Sequence, residues 1–102
     1  MDFIESNIFT RLVLELLSDE EYRLLQTSLM LLPEQGAIIR GSGGLRKMRW
    51  PLPGRGKSGG ARVIYYLPGK DRILMIFIYE KAKQEDLTLD QLKRLRRLIE
   101  TE

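Results

Sequence analysis

The sequence of 102 residues contains neither cysteine nor histidine. Without cysteine the chain can form no disulfide and has no thiol nucleophile, and without histidine it lacks the commonest general base and the usual zinc ligand. A Ser-His-Asp triad and a zinc-bound water are therefore excluded. Any catalysis must use lysine, arginine, tyrosine, hydroxyl or carboxylate side chains, and we expect no metal and no cofactor.

Long hydrophobic runs are lacking as well. No apolar run approaches the roughly 18 residues that a membrane-spanning helix needs, and the start Met1-Asp2 is unlike the basic start of a secretory signal. The hydrophobic fraction of 43% and the charged fraction of 30% are ordinary for a globular protein. We expect a cytoplasmic protein without a membrane partner, folded as a single domain over residues 1–102.

Basic charge is concentrated in the middle of the chain. Residues 1–39 carry two basic and seven acidic groups, residues 40–62 carry seven basic and no acidic groups, and residues 63–102 carry eight basic and seven acidic groups. Lysine and arginine attract phosphates regardless of base sequence, so such a block is typical of a protein that binds a polyanion. A solvated basic loop is the alternative.

The first part of the chain has the pattern of a short strand and two helices. Residues 2–5 alternate and predict a strand, and apolar residues at helical spacing after Ser6 predict the first helix. Ser18 and Glu21 have the spacing of a capping box and predict the start of a second helix. The apolar face predicted for that helix consists of Tyr22, Leu25, Leu29 and Leu32.

The second part of the chain predicts three strands and a final helix. Residues 45–50, 61–67 and 72–79 are rich in β-branched, aromatic or alternating residues, and residues 68–71 predict a hairpin turn between the last two strands. A second capping box at Thr88 and Gln91 predicts a C-terminal helix. The order β-α-α-β-β-β-α indicates an α+β fold.

Seven of the nine glycines lie between residues 41 and 60. A loop so rich in glycine can approach a ligand closely. Gly56-Lys57-Ser58 resembles the end of a phosphate-binding P-loop, but that motif requires a glycine at the position of Pro51 and a helix after the loop. Strands are predicted on both sides, so nucleotide hydrolysis is excluded.

Basic residues surround this loop. By the two-residue period of a strand, Lys47 and Arg49 share one face, whereas Arg46 lies on the other. Arg62 lies within an apolar strand, where a charge is costly unless it is paired or functional. We interpret Arg62 as functional, with a salt bridge to an acid of the helices as the alternative.

Three stretches together resemble the HigB-like branch of the RelE toxin superfamily. They are Gly43-Gly44-Leu45-Arg46-Lys47-Met48-Arg49, Gly56-Lys57-Ser58-Gly59-Gly60-Ala61-Arg62-Val63-Ile64-Tyr65-Tyr66, and Ile78-Tyr79-Glu80-Lys81 with Glu85-Asp86-Leu87. The resemblance implies a small, twisted, mainly antiparallel sheet with N-terminal helices packed on one face. It also implies a type II toxin, a ribosome-dependent endoribonuclease that cleaves mRNA and is inhibited by a cognate antitoxin, usually a helix-turn-helix protein.

The resemblance further implies the site residues. Catalytic roles pass by motif to Lys47, Arg62, Tyr79 and Lys81, with Lys83 just beyond. Contacts to RNA or the ribosome are expected from Lys83 and, because of their place in the basic hairpin and its glycine-rich loop, from Arg46, Arg49, Arg55 and Lys57. RNA can be cleaved by its own 2′-hydroxyl, so the protein needs a proton acceptor, a proton donor and positive charge, but no metal. Crowded cations favour the neutral form of a lysine, which would let Lys47 or Lys81 act as the base. Tyr79 either acts on the RNA or simply ends a core strand.

Two other functions remain as alternatives. A non-catalytic RNA-binding or ribosome-binding module would need only the basic hairpin and its aromatic residues. A ParE-like toxin that inhibits gyrase would share the fold but lack the basic catalytic set, and Lys47, Arg62 and Lys81 argue against it.

The antitoxin is expected to bind the second helix. Leu24 and Leu31 lie off its main apolar face, in a segment of residues 1–39 whose net charge is −5 from two basic and seven acidic groups. Apolar burial supplies stable affinity better than charges at a rim do. The alternative role of these leucines is core contact to the first helix. The alternative docking surface is a groove lined by the basic residues of the glycine-rich loop and its flanking strands.

Overall fold

The computed structural model describes residues 1–53 and 59–100, so Arg55 and Lys57 lie outside the described residues. Within these ranges the chain forms three helices and five strands. They are β1 (Asp2–Glu5), α1 (Asn7–Leu16), α2 (Asp19–Leu31), β2 (Ala37–Ile38), β3 (Arg46–Trp50), β4 (Ala61–Tyr66), β5 (Arg72–Glu80) and α3 (Leu89–Glu100). The predicted α+β class is confirmed. The added strand β2 has only two residues, too few to produce a period in the sequence.

The five strands form one mixed sheet in the order β1-β5-β4-β3-β2. β1 pairs with β5 in parallel, and the other neighbours are antiparallel, as expected for a mainly antiparallel sheet. Arg49 lies opposite Arg62, which in turn lies opposite Tyr79. Directly opposed residues point to the same face of a sheet. These three side chains therefore form one row across β3, β4 and β5.

The helices begin at the predicted capping residues. Ser6 Oγ accepts a hydrogen bond from Phe9 N at 3.0 Å and donates one to Ile76 O at 2.7 Å, which fixes the start of α1 on β5. Ser18 and Glu21 form the predicted capping box. None of the described helices has both the length and the apolar character needed to cross a bilayer.

The end of α2 differs from the prediction. The helix ends at Leu31, and Leu32 is its cap residue with 65% of its surface exposed. The prediction that Leu32 belongs to the apolar face of this helix was wrong. The helical period that placed it there no longer applies once the backbone leaves the helix.

The core consists of two hydrophobic clusters. One contains Phe9, Val13, Leu25 and Leu29 from α1 and α2 together with Val63, Tyr65 and Met75 from the sheet. The other contains Leu95 and Ile99 from α3 together with Leu45, Ile64, Phe77 and Tyr79. Because residues in neighbouring positions of β4 and β5 divide between the clusters, α2 and α3 cover opposite faces of the sheet. The row that contains Arg62 and Tyr79 lies on the α3 face.

The first glycine-rich stretch is a packed turn. Ser42 is fully buried, and its hydroxyl donates to Ile39 O and accepts from Leu45 N at 2.9 Å. Gly41, Gly43 and Gly44 all have positive φ, the region that favours glycine. The glycines of this stretch therefore shape a turn around a buried serine, and the expectation that the glycine-rich loop approaches a ligand stays a prediction. The second stretch, residues 54–58, lies outside the described residues.

Candidate active site

Four cations that the sequence nominates converge on one cleft. Lys47 and Arg49 lie on β3, Arg62 lies on β4, and Lys81 directly follows β5. With Ala37, Met48 and Glu85 they line a cleft of about 350 Å³. The strand register brings them together, because alternate side chains of β3 and β4 point to the α3 face. Lys81 joins them because it directly follows the end of β5, next to these strands. A cleft with this lining is suited to a phosphate group.

Arg62 is the most constrained of these cations. Only 8% of its surface is exposed, in a strand whose other residues from Ala61 to Tyr65 are buried. Its guanidinium donates to Gly59 O at 2.6 Å and to Ala61 O at 3.2 Å. Both acceptors are carbonyl groups, which orient the guanidinium without neutralising its charge. A buried cation held in this way is preorganised to bind an anion.

Gly59 allows this close arrangement. Its φ is +84°, and a Cβ atom there would lie 3.1 Å from Lys81 Cγ and 3.7 Å from an Arg62 guanidinium nitrogen. A side chain at this position would therefore be strained in backbone conformation and would crowd the Lys81 side chain, whereas the Arg62 nitrogen would lie at an ordinary contact distance. The glycine keeps Lys81 and Arg62 at the same corner of the cleft.

Each of the two lysines has an acidic partner. Lys47 Nζ lies 3.2 Å from Asp86 Oδ1, and Lys81 Nζ lies 3.7 Å from Glu85 Oε1. The pKa of Asp86 is lowered by the Leu87 N–H that its carboxylate accepts and, second, by Lys47. The expectation that the lysines are crowded only by cations was therefore incomplete. Within residues 1–53 and 59–100, acidic groups do not gather in threes as a metal cluster would require.

Tyr79 is buried beside Arg62, with 6% of its surface exposed. Its hydroxyl is buried and has no hydrogen-bond partner among the described residues. Burial raises the pKa of Tyr79, and the negative charge of Asp86 raises it further, against the opposing effect of Arg62. The phenol is therefore neutral at physiological pH and is a donor without an acceptor. Tyr79 both ends a core strand and offers an unused polar group.

Two other nominated cations lie outside the cleft. Lys83 is exposed and lines an adjacent depression with Lys81 and Gly59. Arg46 lies on the opposite face of β3, where its guanidinium donates to Gly36 O at 2.8 Å and to Glu34 O at 3.2 Å. These contacts tie β3 to the segment that follows α2. The structure thus brings Lys47, Arg49, Arg62 and Lys81 together with Tyr79 and separates Arg46 from them.

The leucines nominated for antitoxin binding are exposed. Leu24 has 58% and Leu31 has 75% of its surface exposed. The alternative that they are core contacts to α1 is therefore wrong. Met30 and Leu32 are exposed beside them in sequence, so this part of α2 has more apolar surface than a lone leucine would present.

The acidic residues of the site had no assigned role in the sequence analysis. Asp86 and Glu85 were noticed as part of a family-like stretch, but their partners could not be read from it. The Lys47–Asp86 pair joins residues 39 positions apart. No local pattern encodes such a pairing, because it depends on how the segment after β5 folds back over the sheet.

The family comparison covers most of the chain. The model of the RelE toxin of the RelE/RelB toxin-antitoxin system matches residues 19–101. This range contains α2, the cleft and α3. The chain therefore belongs to the RelE toxin family, the toxin component of toxin-antitoxin systems.

A comparison of structures agrees with this fold. The chain is similar to the E. coli toxin RelE, solved as a double arginine-to-alanine mutant in the free state, with a TM-score of 0.54 and 16% identity. The alignment covers 81% of this chain and 85% of that chain. At this level of identity the similarity shows the fold, an α+β domain with three helices and a five-stranded sheet here.

Proposed function

We propose that this chain is a type II toxin that cleaves mRNA on the ribosome in the cytoplasm, as a metal-independent endoribonuclease. The observation that carries the proposal is the buried Arg62 guanidinium, oriented by two carbonyl groups at a cleft that Lys47, Arg49 and Lys81 also line. Burying a cation is costly. A site that receives a phosphate accounts for that cost, and membership of the RelE toxin family supports the role of a toxin.

The reaction uses the RNA as its own nucleophile. The 2′-oxygen attacks the adjacent phosphorus, and the bond from phosphorus to the 5′-oxygen of the next nucleotide breaks. The proton of the 2′-hydroxyl passes to a base, and the departing 5′-oxygen receives a proton from an acid. The products are a 2′,3′-cyclic phosphate and a 5′-hydroxyl end. Negative charge accumulates on the phosphorane in between, so fixed cations lower the barrier.

The side chains of the cleft match these requirements. Arg62 is always charged and can donate two parallel hydrogen bonds to phosphate oxygens, so we assign it to stabilise the phosphorane. Lys47 and Lys81 are the candidates for two further roles: a neutral lysine can accept the proton of the 2′-hydroxyl, and a protonated lysine supplies positive charge. Tyr79 is the candidate proton donor, because burial keeps its phenol protonated. Its hydroxyl is covered by protein atoms, so the side chains around it must move when RNA binds.

Other cations are proposed to hold the RNA and the ribosome. Arg49 lines the cleft and Lys83 the adjacent depression, so both can contact phosphates that flank the cleaved bond. We extend this role from the sequence to Arg55 and Lys57. The contacts of Arg46 to Gly36 and Glu34 favour a structural role for that residue instead.

We further propose that the cognate antitoxin, a helix-turn-helix protein, binds α2 at Leu24 and Leu31. Both leucines are exposed, and they belong to the segment of residues 1–39, whose two basic and seven acidic groups give a net charge of −5. An interface needs apolar anchors that lose water on binding, and these two side chains can supply them. A basic segment of the antitoxin would complement the surrounding charge.

A reconstituted translation reaction tests the proposed function. Purified ribosomes paused on a defined mRNA are mixed with the chain, and the RNA ends are mapped and their chemistry identified. We expect cleavage within the decoding site only when ribosomes are present, with cyclic-phosphate and 5′-hydroxyl ends. Ribosome binding without cleavage would indicate the non-catalytic RNA-binding module, and inhibition of gyrase without cleavage would indicate a ParE-like toxin. Either result would overturn the proposal.

A further inference from the structure

Asp86 is fixed in place by its own segment. Its Oδ1 atom accepts a hydrogen bond from Leu87 N at 2.9 Å, and its backbone carbonyl accepts one from Gln84 Nε2 at 3.0 Å. The carboxylate is thus held by a backbone group of the next residue. Hydrogen bonds from backbone groups orient a short acidic side chain within its turn.

The segment around Asp86 is anchored in turn to α3. Gln84 Nε2 donates to Gln91 Oε1 at 2.5 Å, and Gln91 Oε1 also accepts from Thr88 N at 2.9 Å. Gln91 lies in the first turn of α3, whose residues Leu95 and Ile99 belong to the core. The position of Asp86 is therefore tied to a helix that packs on the sheet.

Lys47 is the cation that this carboxylate contacts. The Nζ atom of Lys47 donates to Asp86 Oδ1 at 3.2 Å, and the lysine side chain is about one-third exposed. A lysine has four rotatable bonds and loses much conformational freedom when it is held in one position. In the absence of a fixed partner, Lys47 would sample many positions around the cleft that Arg62 lines.

We propose that Asp86 is a positioning residue, which holds the Lys47 ammonium group at the cleft so that it meets the RNA in a productive geometry. The inference rests on the proposed function. Asp86 need not touch the RNA, because it acts through Lys47. Losing the geometry of one group at a reaction centre can reduce a rate by about 100-fold.

Two simpler roles of Asp86 lead to different expectations. If Asp86 only repelled phosphates, its removal would strengthen RNA binding without slowing cleavage. If it only stabilised the fold, its removal would lower thermal stability, and cleavage would fall only in proportion to the unfolded fraction. An ion pair whose carboxylate is 67% exposed contributes little to stability, so a large loss of rate in a fully folded variant would arise from the position of Lys47.

The test compares Asp86→Ala with Asp90→Asn as a matched control. Asp90 also pairs with a cation, Arg94 at 3.0 Å, but on an exposed part of α3. Single-turnover cleavage on paused ribosomes is measured at saturating and limiting toxin, with Lys47→Ala and the double variant Lys47→Ala/Asp86→Ala included. We expect Asp86→Ala to reduce the saturated rate roughly 10- to 100-fold without weakening half-saturation, and Asp90→Asn to leave both unchanged.

The double variant decides whether Asp86 acts through Lys47. We expect it to be no slower than Lys47→Ala alone, because a positioning residue has no further effect once the group that it positions is removed. Additive losses would contradict the proposal, as would an Asp86→Ala protein that cleaves like Asp90→Asn. A wild-type chain that fails to cleave would instead contradict the proposed function.

A measurement without RNA separates these failures further. Carbon-13 relaxation of the Lys47 Cε group reports how freely its side chain moves. We expect Asp86→Ala to increase this motion and Asp90→Asn to leave it unchanged. Equal motion of Lys47 in the two variants would overturn the positioning role, whatever the activity of the wild-type chain.

Discussion

Each face of the sheet contains a buried tyrosine, and the two tyrosines differ in the hydrogen bonds of their hydroxyl groups. On the face covered by α1 and α2, Tyr65 is fully buried, and its hydroxyl donates to Pro33 O at 2.7 Å and accepts from Gly36 N at 2.8 Å. On the α3 face, the buried Tyr79 hydroxyl has no partner among the described residues. Unpaired buried polar groups are rare because they are costly. Among the described residues, the two faces therefore differ in whether the hydroxyl of their buried tyrosine is paired.

The two faces also differ in charge: one carries an apolar row of side chains, and the other carries two opposed arginines. On the α1 and α2 face, Met48 lies opposite Val63 and Val63 lies opposite Ile78, an apolar row across three strands. On the α3 face, Arg49 lies directly opposite Arg62. Like charges in that relation are destabilising. The two arginines therefore make this part of the sheet less favourable for stability than the apolar row on the other face, which agrees with the binding role proposed for them.

Removing Arg62 or Lys47 from the cleft should have the largest effect on cleavage. Arg62→Ala and Lys47→Ala are each expected to reduce single-turnover mRNA cleavage by roughly 100-fold or more, because each removes an electrostatic or proton-transfer group. Arg62→Lys keeps the charge but not the forked geometry, so it should restore only part of the rate. Arg94→Ala, which removes an exposed cation of α3, serves as the control. Folded Arg62 and Lys47 variants that cleave like the control would show that the cleft is not the active site.

The two tyrosines provide the next test. Tyr79→Phe should reduce cleavage roughly 10- to 100-fold with little change in stability, since its hydroxyl makes no hydrogen bond within residues 1–53 and 59–100. Tyr65→Phe should cost about 1–3 kcal/mol of unfolding free energy, because it leaves buried backbone groups unpaired, and should leave cleavage by the folded protein unchanged. Urea unfolding and single-turnover cleavage measure the two effects. The opposite pattern would reverse the assignment of the two faces.

Substitutions on α2 should affect the antitoxin and not the chemistry. Leu24→Asp and Leu31→Asp are expected to weaken antitoxin binding by about tenfold or more each, the scale of a modest interface anchor. Both residues are exposed, so the variants should fold and remain toxic. Binding is measured by calorimetry with the cognate antitoxin. If Arg49→Glu abolishes the complex and the leucine variants do not, the antitoxin docks at the cleft instead.

The smallest effect concerns the dependence of stability on pH. The pKa of Asp86 is lowered in the folded protein from its ordinary value of 3.8. Its charge therefore stabilises the fold above that value, and the contribution is lost as the pH falls through the lowered folded value. Because Asp86 is mostly exposed, Asp86→Asn should cost at most about 1 kcal/mol at neutral pH. Urea unfolding should show this difference shrinking below about pH 4, and a difference that grows on acidification would contradict it.

The sequence by itself determined the local structure and indicated which basic residues are candidates for the site. Ser6, Ser18 and Thr88 each start a helix as predicted, because a capping residue and its partner lie within three positions of each other. The strand period assigned Lys47 and Arg49 to one face for the same reason. Arg62 could be singled out because a charge within an apolar strand is unusual in any fold.

Only the tertiary structure decided which contacts these residues make and how exposed they are. Tyr65 and Tyr79 are the same residue type on neighbouring strands. Within the part of the chain that the structure describes, only the Tyr65 hydroxyl of the two is paired, and this difference comes from the segments that cover each face. The Lys47–Asp86 pair joins residues 39 positions apart, and the exposure of Leu24 and Leu31 depends on where α2 packs. Such contacts depend on strand register and packing between distant segments, which short-range patterns of charge and hydrophobicity do not specify.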